Sequence, residues 1–154
     1  MRLKPRISRL LVALAVSGVA VQQAKAAPLH SGVWRGVYQC AQGLTGATLT
    51  LTVAPDGTAA GLFEFFAIKQ NPGVPRGCFE MAGRMDEAGH LALAPGAWRL
   101  RPPGFVTVGL AGQEIAGDRL VGEVQGPGCM NFALLPARPG SLAAAPSACI
   151  GAIS

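Results

Sequence analysis

The 154 residues contain only two histidines, and charged side chains make up 14% of them. The four cysteines are equally sparse: Cys129 and Cys149, the nearest pair, stand 20 positions apart, and neither His30 nor His90 lies close to one. Metal-binding spacings of the Cys-x-x-Cys kind are therefore missing, and no metal or cofactor is expected. His90 follows Asp86-Glu87-Ala88-Gly89, which reads as a solvated hairpin turn. His30 falls near the start of the exported chain, so neither supplies a credible base for a nucleophile. Glycine-rich phosphate loops, His-Glu-x-x-His helices and Gly-x-Ser-x-Gly elbows do not occur. Glu64 and Glu80 each lie opposite the apolar face of their segment, which predicts outward, solvated carboxylates rather than an acid pair. No catalytic residue emerges, and an enzyme is the least favoured reading.

Long apolar runs are also lacking, with one exception. Leu10 to Val21 is apolar, preceded by Arg2, Lys4, Arg6 and Arg9 and followed by Ala24-Lys25-Ala26. Twelve helical residues rise about 18 Å, short of the roughly 30 Å hydrocarbon core. The pattern predicts a cleaved signal peptide over residues 1–26, with Ala27 as the new N-terminus of a secreted or periplasmic protein. Nothing after it is apolar enough to span a membrane. No cysteine follows it to carry a lipid.

Removing the signal also removes the apparent basicity. Five of the 13 Lys+Arg lie within residues 1–26, leaving eight against eight acidic residues. A neutral chain without a basic stripe is not a nucleic-acid binder. Lys69 is then the only lysine; with so much Ala, Gly, Pro and Arg, this points to a GC-rich bacterial source.

What remains is period-two alternation broken by Gly, Pro and Asp. Segments Val33–Cys40, Ala47–Val53, Ala59–Ile68, Cys78–Met85, His90–Ala94, Ala97–Arg101, Phe105–Ala111, Arg119–Gln125 and Cys129–Leu135 read as strands. In Ala47–Val53 the leucines Leu49 and Leu51 face one way and Thr48, Thr50 and Thr52 the other. Helical stripes are absent after the signal. The expected fold is all-β: a single antiparallel up-and-down barrel of about eight strands over residues 27–136, with a β-sandwich as the alternative. Closure is favoured because short hairpins need no crossover and because it removes sheet edges. Residues 137–154 shift to Ala, Pro, Gly and Ser and read as an irregular tail tethered by Cys149.

Closure also orders the cysteines. Cys40 ends the first strand and Cys129 begins the last, so a barrel makes them neighbours, leaving Cys78 to bond Cys149. In an oxidising compartment both pairs form. The first would enclose roughly 90 residues and add about 4–5 kcal/mol on the chain-entropy model.

Two sets of residues are candidates for binding. Trp34, Tyr38, Phe63, Phe65, Phe79 and Trp98 share apolar faces; they either line a ligand cavity or fill the interior outright. Arg76, Arg101 and Phe105 belong to the proline-stiffened connections Asn71–Arg76 and Arg101–Phe105, which suit recognition at a rim or serve as plain turns.

Ser31-Gly32-Val33-Trp34 resembles the Gly-x-Trp opening of lipocalin- and avidin-like barrels, the calycins. In those families the tryptophan plugs one barrel end, often under an arginine from near the last strand, a part that Arg138 would take. The Thr-Asp-Tyr signature of lipocalins is missing, and the resemblance implies a barrel without implying a ligand. The expected function is an exported, non-enzymatic binding protein for a small apolar molecule, an envelope glycan or another protein. A structural envelope protein and an inhibitor of an extracellular enzyme are the alternatives.

Overall fold

A computed structural model describes residues 31–115, 118–138 and 149–150. The signal segment 1–26, His30 and most of the tail lie outside the described residues. Eight strands follow one another: β1 (Gly32–Cys40), β2 (Gly43–Val53), β3 (Thr58–Phe66), β4 (Gly77–Met85), β5 (His90–Leu100), β6 (Gly109–Ile115), β7 (Arg119–Gln125) and β8 (Asn131–Pro136). Each pairs antiparallel with the next, and β8 returns to β1 to close a barrel. The closing register sets Trp34 against Pro136 and Tyr38 against Phe132.

The alternation chooses the inner face. Leu49 and Leu51 of β2, Phe63 and Phe65 of β3, Phe79 and Met81 of β4, and Leu110, Leu120 and Leu134 of the later strands point inward and are almost fully buried. This row of large side chains makes the middle of the barrel a packed core rather than a channel. Where strands cross most closely the wall needs glycine. A Cβ on Gly36 would overlap the Ala133 carbonyl oxygen of β8, and one on Gly83 the Ala92 carbonyl oxygen of β5.

Both expected disulfides are present. Cys40–Cys129 ties β1 to the β7–β8 loop across 89 positions, and Cys78–Cys149 holds the tail against β4 across 71. Cys78 and Cys149 pack with Leu62 and Leu100 as a small apolar cluster on the outside of the wall. The two bonds are consistent with an oxidising extracellular or periplasmic environment. Among the described residues, no helix is long and apolar enough to cross a membrane.

Strand ends shift by up to four residues from the sequence expectation, β2 starting at Gly43 rather than Ala47, and two segments differ in kind. His90–Ala94 and Ala97–Arg101 are one strand, β5, because irregularities in the β4–β5 register absorb Pro95 and Gly96 without ending the pairing. Phe105–Ala111 is not a strand as a unit. β6 begins only at Gly109, and residues 101–108 form a loop. The reason is Phe105: its ring stacks on Phe65 with centroids 5.1 Å apart, drawing the loop over the barrel end. As a result β5 pairs β6 only through His90–Leu93.

Candidate functional site

The barrel has two unlike ends. The upper end, as we call it, carries the β1–β2 turn and the loops 67–76, 101–108 and 126–130; the lower end carries the turns 54–57 and 86–89 and the β6–β7 connection.

At the upper end a hollow of about 220 Å³ opens above the core, walled by Tyr38, Gln42, Phe65, Phe79, Phe105 and Val108. Each wall residue is delivered by a separate element. Tyr38 comes from β1, Phe65 from the end of β3 and Phe79 from the start of β4, all on inward positions of their strands. Phe105 and Val108 come from the loop before β6. The Cys40–Cys129 bond forms the remaining edge. Loop 126–130 is fixed beside it, since Met130 N–H donates to Gln39 O at 2.9 Å.

The aromatic rings interlock beneath the opening. Phe63 meets Tyr38 edge-on at 5.3 Å and lies 5.4 Å from Phe79. Trp98 stands edge-on to Phe79 at 5.2 Å and to Phe65 at 6.2 Å. Such offset and T-shaped contacts fix the wall more firmly than area burial alone.

One polar group is set into this apolar wall. Gln42 Nε2 donates to the Tyr38 hydroxyl at 2.9 Å and reaches Thr45 Oγ1 at 3.3 Å. Thr45 in turn donates to Gly43 O at 3.0 Å. Gln42 is held from behind, because Asn71 Nδ2 donates to Gln42 O at 2.7 Å and to Leu44 O at 3.1 Å. Burial pushes the Tyr38 hydroxyl well above the ordinary phenol range, outweighing the opposing hydrogen bonds from Gln42 and Thr45. The group at the base of the hollow is therefore a neutral phenol. No residue that walls the hollow carries a charge.

The expected binding residues divide into four groups. Tyr38, Phe65, Phe79 and Phe105 wall the hollow directly. Phe63 and Trp98 support it from behind and beside, and Arg101 lies over Trp98 at 6.0 Å. Trp34 is buried at the lower end of β1, far along the strand from the opening. Arg76 is on the outer wall, bonded to the Glu64 carboxylate, with its guanidinium 5.7 Å from the Phe66 ring; Arg35 lies 5.0 Å from the same ring.

The carboxylates correct one expectation. Glu64 does point outward, but at 7% exposure it is buried beneath Arg76 rather than solvated. Glu80 is exposed and pairs with Arg99 at 3.0 Å. The two acids thus have separate arginine partners and do not form a pair. His90 is the turn residue expected, exposed and 2.8 Å from Asp86.

Gln42, Val106 and Val108 were not singled out by sequence. Gln42 sits in a two-residue turn whose composition carries no such signal. Val106 and Val108 continue an alternation that reads as strand, although it runs through a loop.

A larger hollow of about 1370 Å³ lies at the lower end, where Asp56, Arg84, Asp86 and His90 edge it and Ala92 and Val121 form its floor on the outer wall. It is broad, open and bordered by exposed turns. The smaller upper hollow has the buried aromatic lining and the fixed polar group of a recognition site. No protein family, curated protein or solved structure matches this sequence.

Proposed function

We propose that this is an exported, non-enzymatic binding protein that receives an apolar group of its partner in the upper mouth of the barrel. The observation that carries the reading is the 220 Å³ hollow, walled by Phe65, Phe79 and Phe105 around the fixed Tyr38–Gln42 pair. Rigid aromatic walls lower the entropy cost of binding, and one satisfied polar pair orients what enters. A filled barrel middle directs binding to the mouth rather than to a central cavity. Residues 1–26 are proposed to direct export and to be removed before Ala27, in keeping with the two disulfides. Burial of Trp34 at the lower end supports kinship in shape with calycin barrels. That the arginine-paired Glu64 and Glu80 stand apart supports the non-enzymatic reading.

The test is ligand-observed NMR of small neutral aromatics, such as p-cresol and indole, against the oxidised protein. Binding should weaken about ten-fold or more in Phe105→Ala, which removes one wall. It should be unchanged in Gly32→Ala at the opposite end, where a Cβ meets nothing. Equal binding by wild type and Phe105→Ala, or no binding to either, would reject the mouth as the site.

A further inference from the structure

Residues 31–138 hold eight basic and eight acidic side chains, and the connections at the two ends of the barrel differ in sign. The upper connections 41–42, 67–76, 101–108 and 126–130 contain Lys69, Arg76 and Arg101 and no acid at all. The lower turns contain Asp56, Asp86, Glu87 and Asp118, all exposed. Arg76 is committed to Glu64, which leaves Lys69 and Arg101 as exposed cations of the upper rim. The connections around the mouth thus present two exposed cations and no acid, which favours a negatively charged partner there.

The same rim is apolar beyond the edge of the hollow. Val106 is 58% exposed, Met130 63% and Leu44 37%, and Pro72, Pro75, Pro103 and Pro127 are exposed around them. A hollow of 220 Å³ is smaller than the usual small-molecule cavity and matches one large side chain. A free aromatic molecule would fill it and leave Val106 and Met130 in water. A chain passing over the mouth would cover them.

We infer that the partner is an acidic protein segment that inserts one aromatic side chain into the upper hollow, with its flanking carboxylates facing Lys69 and Arg101. The inference rests on the mouth being the binding site and adds the partner's charge and class. The hollow accepts the ring, the Tyr38–Gln42 pair meets its polar edge, and the cations select the flanking sequence.

Isothermal titration of short capped peptides separates these statements. The peptides are Glu-Glu-Trp-Glu-Glu, Gln-Gln-Trp-Gln-Gln, Lys-Lys-Trp-Lys-Lys and Glu-Glu-Ala-Glu-Glu, with indole-3-acetate as the free aromatic acid. The acidic Trp peptide should bind about five-fold or more tighter than the neutral one, and the basic one should bind weakest. The acidic preference should fade in high salt and reverse in Lys69→Glu/Arg101→Glu. Both positions are exposed, so thermal unfolding of that variant should match wild type and keep the result readable. Equal affinity for acidic and neutral Trp peptides would overturn the acidic partner while leaving the mouth in place. Absence of binding by every Trp peptide and by indole-3-acetate would overturn both readings, and absence of peptide binding alone would overturn the protein segment. Tight binding of the alanine peptide would place recognition outside the hollow. Indole-3-acetate binding as tightly as the acidic peptide would make the partner a small molecule. Salt-sensitive self-association in sedimentation, abolished by the same double variant, would replace the partner with the acidic lower rim of a second copy.

Discussion

Tyr38 is the single tyrosine of the chain, which makes its environment directly measurable. Its hydroxyl is buried and its ionisation is displaced upward by that burial. A folded-state value above the unfolded value near 10 means the hydroxyl favours the folded state fully below about pH 10. That contribution is lost as the pH rises further. Ultraviolet titration should therefore show no phenolate near pH 10, and phenolate should appear together with unfolding. A free-phenol titration of the folded barrel would contradict the burial. Tyr38 also shows what a sequence can convey about a site. Its inward direction followed from the alternation that puts it on the apolar face of its strand with Trp34. Its partner Gln42 did not, because that contact depends on a two-residue turn and on Asn71 from a distant loop. Glu64 makes the same point on the outer wall. Alternation gave its direction, but the cover supplied by Arg76 comes from outside the strand.

At the scale of elements, turns and crossings carry the specific demands. Asp56 caps its turn by accepting the Thr58 N–H at 2.8 Å, and Asp86 accepts those of Ala88 and His90 at 2.9 Å each. These bonds hold both carboxyls below the ordinary carboxylate range. Depressed folded values stabilise the turns above the unfolded carboxyl value of about 3.9, and the effect is lost as pH falls through the folded ones. The amides of Thr58, Ala88 and His90 should shift and exchange faster in that acid window, before the barrel opens. Gly83 tests the wall itself. Gly83→Ala places a methyl on the Ala92 carbonyl oxygen, so it should cost about 1–3 kcal/mol or more in chemical denaturation. Gly32→Ala, with open space around it, should be close to neutral. Strand existence was legible from alternation and turn chemistry. Where β5 continued and β6 began was not, because a register irregularity and a single aromatic stack overrode the local pattern at Pro95 and Phe105.

The whole molecule is a sheet sewn into a ring. The closing pair β1–β8 has the longest sequence separation in the barrel, and Cys40–Cys129 joins its upper end across 89 positions. On the chain-entropy model, removing that bond in Cys40→Ser/Cys129→Ser should lower stability by about 4–5 kcal/mol. Cys78→Ser/Cys149→Ser should lower it by a similar amount through its 71-position loop, without touching the seam. The two pairs differ in what loosens: amide exchange should rise at Tyr38 and Phe132 in the first variant and around Leu62 and Leu100 in the second. Closure itself was readable, since hairpin spacing put the first and last strands side by side and two cysteines at their meeting point. The opposite sign of the upper and lower connections was not. It becomes visible only when alternate connections are assigned to opposite rims.

The seam also settles orientation. Val33 and Ala137 are joined by a hydrogen bond of 2.7 Å, so the barrel begins and finishes at one place, on the rim opposite the aromatic mouth. A fusion, tag or tether built ahead of Ser31 will hold the barrel by its base and leave the mouth pointing away from the attachment, whereas Cys149 of the tail is bonded to Cys78 at the upper end of β4. The same proximity makes the barrel suited to circular permutation: a short linker from Arg138 to Ser31, with new ends opened at Glu87, keeps all eight strands and the Cys40–Cys129 seam while giving up the Cys78–Cys149 bond.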